Sequence, residues 1–129
     1  MPRRLYPFPR HYRLTRTDEF SSVFGFRRAI RGQLLMLHYL PQTDAGGEAR
    51  LGLVIGKKFV RGAVGRNRIK RQIRERFRLQ HDRLQGHDLI VRVIARAERV
   101  DRQQIAAEID RLFAKLRPRV APTSGETVR

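Results

Sequence analysis

The chain has 129 residues, with 29 Lys and Arg against 12 Asp and Glu, a formal net charge of +17 and no cysteine. The missing thiols exclude a disulfide scaffold, a cysteine nucleophile and a cysteine-ligated zinc site, and no apolar run approaches bilayer length or forms a signal-peptide core. One soluble, cytoplasmic domain is expected, its excess positive charge directed at a polyanion.

The first 14 residues, MPRRLYPFPRHYRL, hold three prolines and no acid, and read as a basic arm rather than a helix. Its rings Tyr6, Phe8 and Tyr12 suit either packing on the domain or contact with the polyanion. Thr17 is placed to cap a helix with Asp18 and Glu19 in the first turn, and Phe20, Val23 and Phe24 recur at i, i+3, i+4. Gly25 and Gly32 bracket FRRAIR, a candidate short strand. LLMLHYLP (34–41) predicts a strand closed by proline, and RLGLVIGKKF (50–59) a second, with Leu51, Leu53 and Ile55 on one face. The intervening QTDAGGEA, with its Gly46-Gly47 pair, suits a hairpin. A basic helix follows and is expected to end near Gly86. HDLIVRVIAR (87–96) predicts a further strand. Asp101 then caps a helix in which Ile105, Ile109, Leu112 and Leu116 recur at three and four. The domain is placed at 15–116, and residues 117–129 read as a disordered tail. This order implies an α+β fold: a single-domain α/β sandwich with a mixed sheet of about four strands and three helices.

Charge is unevenly spread. Residues 57–78 carry ten basic groups and one acid, whereas flanking segments mix the signs. Within AVGRNRIKRQIRERFR (63–78), Ile69, Ile73, Phe77 and the later Leu84 fall on one apolar arc at about 100° per residue. Asn67, Arg71, Arg74 and Arg78 fall opposite, with Lys70 beside them. Such a helix buries one face and offers guanidinium groups, which make forked bonds to phosphate and stack on bases, from the other. Like charges four apart repel, a penalty that a bound polyanion reverses. A membrane binder would need the apolar arc free for lipid, and the strong strands on both sides do not suit a helix-turn-helix DNA reader. His11, His38, His81 and His87 show no ligand spacing, no HExxH appears, and GKK followed by GAVG is not a phosphate-binding loop. No protein-borne catalytic residue is expected.

Arg66-Asn67-Arg68, followed by Ile69-Lys70-Arg71 and preceded by LGLVIGKKF, resembles the signature of the bacterial ribonuclease P protein subunit. RLTRTDEF with Val23-Phe24 resembles that family's first helix, and the similarity spans about residues 10–116. The resemblance implies a ribosomal protein S5 domain 2-like fold with a left-handed βαβ crossover, against the usual hand. It implies a 1:1 ribonucleoprotein with the ribonuclease P RNA, which removes the 5′ leader of precursor tRNA. Cleavage would lie in the RNA with Mg²⁺, and the protein would bind no cofactor of its own. By the same resemblance, Arg66, Asn67, Arg68, Lys70, Arg71 and Arg74 face the catalytic RNA. Phe20, Phe24, Lys57 and Lys58 border a cleft for the single-stranded leader, where His38 or Tyr39 offers a flat ring. Partners are RNA rather than DNA or membrane. Stacking would contribute about 1–3 kcal/mol per base, and binding would weaken steeply with salt as counterions are released. The alternative is a structural RNA-binding protein such as a ribosomal protein, which needs the basic helix but no cleft.

Overall fold

The computed structural model describes residues 10–119. In chain order it contains a 3-10 turn (Arg10–Tyr12), α1 (Thr17–Phe26), β1 (Ala29–Arg31), β2 (Leu35–Pro41), β3 (Arg50–Val54), α2 (Ala63–Leu79), a second 3-10 turn (His81–Leu84), β4 (His87–Val93) and α3 (Arg102–Lys115). The strands form one mixed sheet in the order β1-β2-β4-β3, the α+β architecture expected. β2 runs antiparallel to β1 and β4, whereas β3 and β4 are parallel and joined through α2.

Period-two alternation divides the side chains between two layers. Leu35 and Leu37 of β2, Leu51 of β3, and Leu89, Val91 and Val93 of β4 meet Ile69, Ile73 and Phe77 of α2 and Ile105, Ile109, Leu112 and Phe113 of α3. Complete burial of such a side chain contributes about 1.5–3 kcal/mol before entropy is counted, so this layer carries most of the stability. On the other face α1 closes a smaller cluster of Leu14, Val23 and Ile90, with Phe20, Leu40 and Val54 packed on it.

Five expectations change on contact with the structure. The glycine-rich stretch is not a β2–β3 hairpin, because β4 inserts between those strands. The loop instead wraps over the start of β4: Gln42 N–H donates to the Gly86 carbonyl, and Gly86 N–H to that of Gly47, both at 2.7 Å. Gly86 takes φ +83 and passes so close to the Ala45 carbonyl that a Cβ would not fit. The basic helix accordingly stops at Leu79, and Leu84, still fully buried, sits on the following 3-10 turn.

At α1 the N-cap is Arg16, not Thr17. The Glu19 carboxylate does the capping from within, accepting N–H bonds from Thr15 (2.9 Å) and Arg16 (3.0 Å). The helix runs through Gly25 and ends at Arg27, a non-glycine residue in the left-handed region (φ 62), which shortens the predicted FRRAIR strand to three residues. β3 ends at Val54, and Gly56–Phe59 form a turn closed by Phe59 and Val60 N–H bonds to the Gly56 carbonyl. The Asp101 cap is as read: its carboxylate accepts from Gln103 N–H.

The end of the arm docks on the domain. Arg13 bridges to Leu51 at the edge of β3, and Tyr12 stacks on His81 with ring centroids 4.2 Å apart. Tyr6 and Phe8 lie outside the described residues, as do residues 120–129 of the tail.

Candidate nucleic-acid interface

α2 leaves Gly62 in extended conformation and is fixed to the sheet by Ile69, Ile73 and Phe77, all buried. That anchoring removes the apolar arc from any lipid surface and sets the direction of every other side chain. Asn67, Arg68 and Arg71 are exposed, while Arg66, Lys70 and Arg74 are half-buried.

The cations of this segment divide by what holds them. Arg66 folds back, its Nη1 donating to the carbonyls of Val60 (3.0 Å) and Arg61 (2.7 Å), which locks the loop entering the helix. Arg76 makes a forked pair with Asp110 of α3 (2.9 and 2.6 Å). Arg78, expected on the outward ridge, is instead engaged by Glu75 one turn back (3.3 and 2.7 Å). Arg74 is pushed below the usual arginine range, first by burial and then by the charge of Arg13 beside it. An anion between these two would relieve that repulsion. Arg68 and Arg71 have no carboxylate partner among the described residues. They line a groove of about 660 Å³ between α2 and the start of α3, together with Glu75, Arg76 and Arg102.

A second surface lies on the α1 face of the sheet. Phe20 covers Gly52 so closely that a Cβ there would stand 2.6 Å from its ring. Val23 is fully buried one turn later. Phe24, 36% exposed, places its ring edge-on to His38 at 4.8 Å. The two phenyl rings therefore differ: Phe20 is chiefly packing, and Phe24 is presented to solvent. His38 Nε2 accepts from Arg92 Nε (3.2 Å), and Arg92 Nη2 also reaches Met36 Sδ (3.5 Å). Burial first, and the Arg92 charge second, hold His38 below its ordinary pKa. The ring is thus kept neutral, with its lone pair committed to the guanidinium.

Tyr39 does not join this group. One residue along the strand it faces the other layer, packing on the main core and edge-on to His87 at 6.2 Å. Lys57 and Lys58 are exposed in the turn beyond β3, at the same end of the sheet as Arg92, which is in register with Val54. Arg92 and Met36 are cleft residues that pattern reading missed. Their only sequence signal is their parity with His38 and Ile90 across the β2–β4 register.

The opposite end of the same face carries an ion-pair network. Arg50 forks onto Asp88 (3.0 and 2.8 Å) and reaches Glu19 (2.9 Å), and Gln42 also donates to Asp88 (2.8 Å). Backbone N–H bonds from Arg16 and Thr15, aided by Arg50, hold the Glu19 carboxyl below the usual range. Positive and ring-bearing groups thus collect at one end of this face, whereas at the other a pocket of about 610 Å³ is lined by Asp18, Glu19, Asp44, Glu48 and Asp88 around Arg50.

An α+β sandwich that presents unpaired guanidinium groups from an anchored helix, with a ring-lined cleft on the other sheet face, defines a polyanion-binding protein suited to RNA. The ribonuclease P family model matches residues 8–117. The ribonuclease P protein component of Azoarcus sp. is 50% identical over 105 residues, covering 81% of this chain and 86% of its own. That of Ralstonia pickettii is 44% identical over 128 residues, covering 92% and 89%. Among solved structures, the RNase P protein from Thermotoga maritima superposes with a TM-score of 0.69 at 25% identity, over 81% of this chain and 96% of that one. The Staphylococcus aureus RNase P protein, at 24% identity, shares the fold with a TM-score of 0.73 over 81% and 94%. The chain belongs to the ribonuclease P protein family. Its role is that of the protein subunit, associated with the ribonuclease P RNA in a tRNA-processing endoribonuclease holoenzyme.

Proposed function

We propose that the outer face of α2 binds the catalytic RNA in a 1:1 cytoplasmic ribonucleoprotein, while the α1-face cleft holds the single-stranded 5′ leader of precursor tRNA. The observation that carries this reading is the separation of two chemically different surfaces on opposite sides of one sheet. Arg68 and Arg71, with Arg74 and Lys70 beside them, offer charge for phosphates, and Asn67 a neutral amide. Phe24, His38 and Arg92 offer flat rings with one cation, and Lys57 and Lys58 supply further charge at that end.

Stacking accepts any base, so the cleft grips a leader with little sequence preference. The contribution of the protein is binding: it raises the affinity of the holoenzyme for a substrate that still carries its leader. The phosphodiester cleavage, with its Mg²⁺, belongs to the RNA subunit. Arg66 supports this interface by fixing the loop before the helix, and Phe20 does so by holding α1 over Gly52.

The test compares the affinity of the reconstituted ribonucleoprotein for precursor and mature tRNA. Precursor is expected to bind more tightly, and Phe24→Ala to lower that preference by about 1–3 kcal/mol, the value of one stacked base, without changing the affinity for mature tRNA. Equal affinities of the unsubstituted complex for the two tRNAs would remove the leader from the cleft.

A further inference from the structure

Among the described residues, Arg68 and Arg71 are not the only cations without a carboxylate partner. At the far edge of the sheet, Arg31 at the end of β1 shares a pocket of about 490 Å³ with Arg111 and Lys115 of α3. All three are exposed, and none has a carboxylate within ion-pair distance among the described residues. Arg111 and Lys115 stand four apart on one helix, where like charges repel.

This pocket is held in shape by a buried carboxylate. Glu108 is 2% exposed, and its Oε2 accepts the N–H groups of Leu34 and Leu35, both at 2.7 Å. Gly32 packs against the same carboxylate with no room for a Cβ. The β1–β2 turn is therefore clamped to α3, and Arg31 is kept beside Arg111 and Lys115. The second oxygen of Glu108, Oε1, is buried without a partner. Three cations around an acceptor suit a ligand that brings negative charge together with a hydrogen-bond donor. A ribose-phosphate brings both, through its phosphodiester and its 2′-hydroxyl.

We infer that the Arg31–Arg111–Lys115 pocket takes a ribose-phosphate step of the RNA subunit, as a second backbone contact at the sheet edge opposite α2. The inference rests on the proposed binding of that RNA by α2. Arg111 and Lys115 belong to the α2–α3 layer and are turned toward the partner that α2 holds, while Arg31, in register with Met36, borders them from the sheet edge. Three strand spacings, about 14 Å, separate the two edge strands. Contacts at both edges fix the orientation of the protein on the RNA, which one line of contacts leaves free to pivot.

The test uses the reconstituted ribonucleoprotein with Arg111→Ala/Lys115→Ala. Affinity for the RNA subunit should fall about tenfold, and the slope of log K against log salt should flatten by about one to two. The thermal melt of the free protein should be unchanged. Hydroxyl-radical footprinting should show loss of protection at a backbone segment of the RNA subunit that Arg68→Ala/Arg71→Ala leaves protected. An unchanged slope and footprint, or a loss confined to precursor tRNA, would overturn the assignment. If Arg68→Ala/Arg71→Ala also leaves slope and footprint untouched, the proposed α2 interface fails with it; if that variant alone responds, only the pocket fails.

Discussion

Arg50 and Arg76 differ from Arg68 and Arg71 in what surrounds them, and that difference separates scaffold from interface. Arg50 ties Glu19 of α1 and Asp88 of β4 to β3, and Arg76 ties α2 to Asp110 of α3. Arg83 belongs with them, donating to the carbonyls of Phe113 and Leu116 at the end of α3, where a cation is favoured by the helix dipole. Among the described residues, Arg68 and Arg71 have no such obligation. A guanidinium already engaged by a fixed carboxylate has lost the charge and the donors that phosphate would need. Net charge therefore overstates the RNA-binding surface of this protein, and pairing within the fold delimits it.

The largest expected effect of breaking a scaffold pair is at Arg50. Arg50→Ala leaves Asp88, nearly buried, with Gln42 as its main side-chain partner, and should cost about 3 kcal/mol of stability in urea unfolding. RNA affinity measured on the remaining folded protein should hold. Gly52→Ala comes next: the new methyl meets the Phe20 ring and should cost about 1–3 kcal/mol. It should also displace α1 and lower the preference for precursor tRNA, so that stability and leader binding fall together. By contrast, Phe24→Ala should move leader binding with little change in stability.

A smaller effect follows from two histidines. His38 and His87 are both held below the ordinary value of 6.5, chiefly by burial, so protons bind the unfolded chain first. Their contribution to stability is complete above that value and is lost as pH falls through the folded pKa values. Glu19, also depressed, contributes above its ordinary 4.5 and loses that contribution only at lower pH. The urea midpoint should be flat from neutral pH upward, decline below about 6.5 and fall again in the carboxylate range. A His38→Gln/His87→Gln variant should lose the first decline and keep the second.

Much of this was legible from local pattern. The arc of Ile69, Ile73 and Phe77 is a property of one helix, so periodicity alone assigned it to the core and Arg71 to the opposite face. The assignment of Tyr39 was also within reach: Leu35 and Leu37 share its parity, and a strand whose odd positions are buried turns Tyr39 with them. What local pattern did not contain was partnership between distant segments. The insertion of β4 between β2 and β3 is decided by pairing across 38 or more residues, and it overrode a glycine-rich stretch that suits a hairpin. Arg92 becomes a cleft residue only because that pairing sets it beside His38. Glu108 left a clue, a carboxylate on the apolar face of α3 between Ile105 and Ile109, although its partners at Leu34 and Leu35 come from the other end of the domain.

The central claim is that the exposed, unpaired cations of α2 grip the catalytic RNA, whereas the paired arginines hold the fold. Its most direct test is the salt dependence of binding between the purified RNA subunit and the Arg68→Ala/Arg71→Ala protein. The log–log slope should flatten by about one for each side chain removed, with an unaltered melting temperature. A slope equal to that of the unsubstituted protein, or a loss of binding matched by a loss of folding, would contradict it.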